Sequence, residues 1–209
     1  MDATLTSGLF LPLTSMLLAS AVIMGSPGPA TVSAAASGSA YGFVRSLPYV
    51  TGLMSGTATV LALVAAGLVT ALLAMPALVP ALIAVSGLYI LYLAYKIAMA
   101  APLDNSQKAA PPPGFGGGYL LAVANPKAYA AIAAVYASAQ FGLASPLVEA
   151  VIKVISLAAM IVLIHLLWLG AGMVLARILS DPRYGRVLNW IFAVILVASA
   201  LRALSLLIR

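Results

Sequence analysis

Two short proline motifs, a lysine beside one of them and a lone histidine are the residues of this chain best placed to do chemistry. Ser26-Pro27-Gly28-Pro29 and Asn125-Pro126-Lys127 each interrupt a long apolar stretch, and His165 lies near the middle of another. Pro27 and Pro29 lack an amide hydrogen and clash with the preceding turn, so together they break a helix. Gly28 between them is free to take backbone angles closed to other residues. A break exposes the N-terminus of one helical segment, which attracts a carboxylate. It also exposes the carbonyls that end another segment, which attract an ammonium group or cation. A zwitterion uses both. A lone proline kink has a structural reading, but two breaks about one hundred residues apart point to a binding site.

Asn125 is a good cap for a helical segment that restarts at Pro126, a residue suited to a first turn. Lys127 then stands within a turn of the break. Its ammonium has two readings: a long stem that snorkels to lipid headgroups, or a buried charge that holds a carboxylate or exchanges a proton. His165 is either a hydrogen-bonded packing residue or a member of the pocket or proton path. Glu149 and Lys153, four apart at the start of the same helix, read as a solvated or interfacial pair. No Asp or Glu lies deep in any apolar stretch.

The elements that position these residues follow from composition. Of 209 residues, 64% are hydrophobic and 7% charged, against about 25% charged in a soluble domain. Too few charges remain to cover a surface in water. In a bilayer each spanning helix needs ~20 mostly apolar residues, with its backbone polar groups bonded internally. The apolar runs here are long and uninterrupted, which excludes the alternating pattern of a membrane β-barrel. The absence of cysteine excludes disulfides and thiolate metal sites. Net charge is +6, but the basic residues are scattered beside apolar runs, which excludes a nucleic-acid patch. Ala19-Ser20-Ala21 resembles a signal cleavage site, yet the preceding stretch carries Asp2 and no Lys or Arg. The start therefore reads as a retained first helix.

Six transmembrane helices are expected in an all-α integral membrane protein. They run from about Leu9 to Tyr41 with the first break inside, Leu47 to Leu73, beyond the Pro76 to Pro80 turn to Ala100, Tyr119 to Phe141 with the second break inside, Pro146 to Leu179, and Gly185 to Leu207. Residues 101–118 hold three consecutive prolines and Gly116-Gly117-Gly118, and read as a flexible linker. The linker divides a single transporter domain, 1–209, into halves of about 1–100 and 119–209. Each half has three helices, so two similar halves sit in opposite orientations, the inverted repeat of secondary transporters, with proline-broken helices 1 and 4. Arg45, Lys96, Lys108, Arg177, Arg183 and Arg186 fall on one side; Lys153, Arg202 and Arg209 fall on the other. This places the linker in the cytoplasm and both termini in the periplasm. Gly52 and Gly56, with the small residues from Thr31 to Ala40, suit close helix packing. Tyr41, Tyr49, Tyr89, Tyr92, Tyr95 and Trp190 fit interfacial belts.

Ser26-Pro27-Gly28-Pro29, the Gly-rich second helix, Gly87 to Leu93 in the third, Asn125-Pro126-Lys127-Ala128 and Gln140-Phe141 together resemble the LysE/RhtB amino-acid exporters over essentially the whole chain. The chain departs from the family pattern at Ala30, where many members carry Asn or Asp, and at Ala139, where many carry proline. The resemblance implies a secondary transporter in the bacterial inner membrane, exporting amino acids or related small molecules by the proton-motive force. The residues expected to bind substrate are Ser26, Pro27, Gly28, Pro29, Asn125, Pro126 and Lys127, with His165 in the pocket or on the proton path. Without a deep acid to pair a second positive charge, neutral substrates are favoured over basic ones. Expected partners are a small-molecule amino acid and membrane lipid, with a homodimer left open. No cofactor, metal, nucleic acid or enzymatic step is expected. The alternatives are export of a metal or other ion, which the lack of deep acids and cysteines disfavours, and an intramembrane serine hydrolase pairing Ser26 or Ser55 with His165.

Overall fold

The computed structural model describes residues 3–68, 74–75, 77–100, 112–178 and 182–205. Among these the regular structure is helical: α1 (Ala3–Ile23), α2 (Pro29–Tyr41), α3 (Phe43–Ala65), α4 (Leu78–Ala98), α5 (Phe115–Val123), α6 (Pro126–Ser138), α7 (Pro146–Ile178) and α8 (Pro182–Leu204). Proline opens α2, α6, α7 and α8, where its fixed φ and missing amide hydrogen cost nothing. The helix of α3 ends earlier than the apolar run suggests. Gly67 takes φ +71°, its amide donates to Val64 O at 3.0 Å, and Leu68 N donates to Leu63 O at 3.0 Å. That pair of bonds is a Schellman cap, and it stops α3 at Ala65 rather than Leu73. Residues 69–73 lie outside the described residues.

Four helices are long and apolar enough to cross a bilayer: Phe43–Ala65, Pro80–Ala98, Pro146–Arg177 and Tyr184–Arg202. The pair α5 and α6, bent by 62° at its break, makes a fifth if it is one span. Leu9–Ile23 is a shorter apolar helix. Large apolar side chains face outward on α1, α4, α7 and α8, among them Phe10, Leu18, Leu88, Ile155 and Val194. The interior, beside its apolar clusters, holds Ser20, Ser33, Ser37, Ser46, Asn125 and Asn189. That distribution suits a hydrocarbon solvent.

At the centre lies α2, buried from Ala30 to Tyr41. It packs on α7 closely enough that a Cβ on Gly172 would overlap the Ala35 carbonyl. The helix α3 packs on α5 in the same way. There Gly52 and Gly56 face the α5 backbone, and a Cβ on Gly118 would overlap the Tyr49 carbonyl. The expected role of the small residues in close packing is thus present. It also corrects the extent of the linker. Residues 115–118 are helix: Gly118 lets α5 press against the α3 backbone, and Gly117 leaves room for the Tyr89 hydroxyl of α4. Residues 101–111 lie outside the described residues.

Two other expectations fail. Tyr41 and Tyr49 are buried, not interfacial: Tyr49 donates to Ser33 Oγ at 3.0 Å and Tyr41 to Lys96 O at 3.3 Å. A tyrosine near a helix end goes inward when a buried acceptor awaits its hydroxyl. Tyr92, Tyr95 and Trp190 are exposed. Of the two readings of the Glu149–Lys153 pair, the solvated one fails. Its N···O distance is 2.7 Å, Lys153 is buried, and the ammonium stands 5.1 Å and 5.4 Å from the ring centres of Tyr136 and Phe141. The aromatic faces replace water around the cation.

Candidate functional site

Both proline motifs are breaks, and the fold brings them together. Between Ile23 and Pro29 the chain leaves the helix, and Gly28 caps the start of α2 with extended backbone, φ −171° and ψ 178°. The Gly28 amide donates to Thr31 Oγ1 at 3.0 Å, and the Thr31 hydroxyl faces Gly28 O at 3.2 Å and Ser26 O at 3.3 Å. At the second break Asn125 caps α6, its side-chain oxygen accepting from Lys127 N at 3.1 Å. Both α2 and α6 therefore present an N-terminus here, the end that favours anions.

Lys127 crosses from one break to the other. Its Nζ donates to Ser26 O and, at 3.2 Å, to Pro27 O. The side chain is half-buried, so its stem does not snorkel free of the protein. Gly28 is needed for this contact by reason of space, not of backbone angle. Its extended φ is open to any residue, but a Cβ there would lie 2.7 Å from Lys127 Cδ and 2.9 Å from Nζ. The expected conformational role of Gly28 is therefore corrected to a steric one.

Lys127 also separates two cavities. The smaller, about 40 Å³, is bounded by Thr31, Thr57, Asn125, Ile132, Ile161 and His165. The larger, about 530 Å³, is bounded by residues 26–29, Ser86, Asn125, Pro126, Ser199 and Arg202. All eight residues expected at the site line one or both. Ala30, at the departure from the family pattern, adds a methyl group to the smaller cavity where a polar side chain is usual.

His165 is buried at 4% exposure, with Nδ1 2.7 Å from Ile161 O and no hydrogen-bond partner on Nε2 among the described residues. Ser26 donates instead to Ile23 O, and Ser55 is exposed. Neither serine bonds the imidazole, so the nucleophile–base pair of a hydrolase is not formed.

Four residues at the site escape a reading of motifs. Thr31 completes the cap of α2, and Trp168 donates from Nε1 to Gly25 O at 3.0 Å, pinning the chain just past α1. Ser86, 1% exposed and with no partner on Oγ among the described residues, and Arg202 line the larger cavity. None belongs to a spaced motif; only a buried tryptophan nitrogen needing a partner hints at its role.

Residues 21–206 match the sequence profile of the LysE type translocator. The cysteine/O-acetylserine efflux protein of Salmonella typhimurium is 32% identical over 181 residues, covering 84% of this chain and 89% of the relative. Its counterpart in Salmonella typhi is 33% identical over 182 residues, with the same coverage. No solved structure matches. A profile that spans all but the ends of the chain, and relatives matched over most of their own length, settle the matter: this multi-pass membrane protein belongs to the LysE-type translocator family.

Proposed function

We propose that the protein exports small neutral amino acids from the bacterial cytoplasm, binding each as a zwitterion between the two helix breaks. The observation that carries this is the reach of Lys127 across the site to the carbonyls of Ser26 and Pro27. Those carbonyls suit a substrate ammonium, and Lys127 together with the starts of α2 and α6 suits a carboxylate. Without substrate the lysine satisfies the carbonyls itself. An arriving zwitterion takes over both of the lysine's carbonyl contacts with its ammonium, on Ser26 and Pro27, and adds a new one between its carboxylate and Lys127. A zwitterion carries no net charge, so the site keeps the single positive charge of Lys127. The relatives named as cysteine/O-acetylserine efflux proteins favour this cargo over a metal or other ion.

The halves alternate as an inverted repeat of six crossings in the inner membrane, with the proton-motive force as the drive. Helix pairing supports this. The helix broken at Pro27–Pro29 packs on α7, the helix broken at Asn125 packs on α3, and α4 packs on α8. Exchanging the halves maps that set of contacts onto itself. Tyr41 with Lys96, and Asn189 with Ala100, join the end of α2, the end of α4 and the start of α8. Arg45, Lys96 and Arg186 thereby gather at one end, which reads as cytoplasmic. The larger cavity, with Arg202, lies towards the other end, as in an outward-facing state.

Cells loaded with dipeptides test the export. Amino acids leaving faster than from vector controls support the reading, and equal efflux with verified membrane expression sinks it.

A further inference from the structure

We propose that His165 selects the substrate by its side chain, and that the smaller cavity takes a short side chain carrying a hydroxyl or thiol that donates to Nε2. The inference rests on the export reading and adds to it the class of amino acid moved.

A carbonyl oxygen only accepts, so the 2.7 Å contact to Ile161 O assigns the proton of the ring to Nδ1. A second proton on Nε2 would place an uncompensated charge in the cavity wall that already holds Lys127, with no carboxylate lining it among the described residues. The imidazole is then neutral and Nε2 presents a lone pair. That nitrogen is buried and has no partner among the described residues, an unmet acceptor of the kind folded proteins rarely keep without a use.

The two hydroxyls of the cavity are engaged within their own segments. Thr57 donates to Leu53 O at 2.8 Å, and Thr31 is held in the cap of α2. What remains of the wall is apolar, with Ile132, Ile161 and Ile164 among it. A space of about 40 Å³ is room for a few water-sized groups, which suits a short side chain. With the charged ends of the zwitterion held at the breaks, its side chain is the part that points past Lys127 towards His165.

Such an acceptor prefers a donor. Serine and cysteine supply one. Alanine fills part of the space but leaves Nε2 unmet, and O-acetylserine brings a larger group with ester oxygens that only accept. A site that hydrogen-bonds a substrate hydroxyl discriminates strongly against the analogue without it. The chain should thus be narrower in cargo than its relatives' name, taking the thiol or hydroxyl amino acid and refusing the ester.

Purified full-length protein in liposomes, loaded with unlabelled amino acid and given labelled L-serine outside, reads this directly by counterflow. Internal L-serine or L-cysteine should drive exchange at least tenfold faster than internal L-alanine or O-acetyl-L-serine. His165→Phe, which keeps a flat ring without nitrogen, should bring the serine-to-alanine ratio to near one by losing serine exchange. His165→Gln, with an amide oxygen in reach of the same point, should restore part of it. Exchange by the native protein without preference for a donor overturns the selector, and needs no variant to fold. So does an unchanged ratio in His165→Phe. Absence of exchange with every amino acid overturns the export reading itself, a different outcome from loss of selectivity.

Discussion

At the scale of single residues, the decisive feature is one ammonium shared between two backbone breaks. Hydrogen bonds to charged groups contribute ~1.5–3 kcal/mol each, so losing the one between Lys127 and a substrate carboxylate corresponds to roughly a ten- to hundredfold change in rate. Lys127→Gln should lower efflux by about that factor at unchanged membrane abundance, and Lys127→Arg should retain part of it because the charge stays. Dipeptide-loaded cells with quantified protein measure both; native efflux in Lys127→Gln would remove the lysine from the site. Gly28→Ala sharpens the point, because its Cβ would meet the stem of Lys127 rather than backbone. It should impair efflux in the native background yet add nothing to Lys127→Ala. Additive losses in that double-mutant cycle would show that Gly28 acts on something else.

Among elements, helix caps and close contacts set the geometry that the residues use. Asn125 accepts from Lys127 N, and an N-cap of this type is worth ~1 kcal/mol. Asn125→Ala should therefore lower thermal stability in detergent, and Asn125→Ser should recover it; equal melting of the two would mean the cap is not what Asn125 provides. The glycine run of α5 makes a stronger contrast. Gly118→Ala drives a Cβ into the Tyr49 carbonyl and should destabilise by ~1–3 kcal/mol, as overpacking does. Gly116→Ala meets nothing within 4 Å and should stabilise by roughly 0.5–1 kcal/mol, as alanine replaces glycine inside a helix. Melting temperatures that move the same way for both would refute the packing of α5 on α3. These neighbours also show what the sequence discloses. The breaks were legible because proline and a capping asparagine act locally. The helical state of residues 115–118 was not, because glycine is a poor helix former until a partner backbone rewards its small size. Tyr49 and Lys153 misled for the same reason: their partners, Ser33 on α2 and the rings of Tyr136 and Phe141, stand outside the helices that carry them. Ser86 and Arg202 reach the larger cavity only through the packing of α4 on α8.

Over the whole molecule, orientation is the property on which the direction of transport depends. Arg45, Lys96 and Arg186 share one end through the contacts of Tyr41 and Asn189, whereas Arg202 stands at the larger cavity towards the other. In the proposed orientation, with basic residues retained on the cytoplasmic side, the larger cavity is in reach of the periplasm. The chain has no cysteine, so a single introduced thiol reports its own position without background. In spheroplasts, a membrane-impermeant maleimide should label Arg202→Cys directly and Arg186→Cys only after the membrane is opened. Ala130→Cys, exposed and on the wall of the larger cavity, should label slowly from outside, and more slowly with saturating serine if substrate and probe share that space. The reverse pattern, Arg186→Cys labelled first, would turn the molecule over. The wide cavity would then be the entry from the cytoplasm, the described conformation would be the loading state, and Lys127 would release its carbonyls to incoming rather than departing cargo.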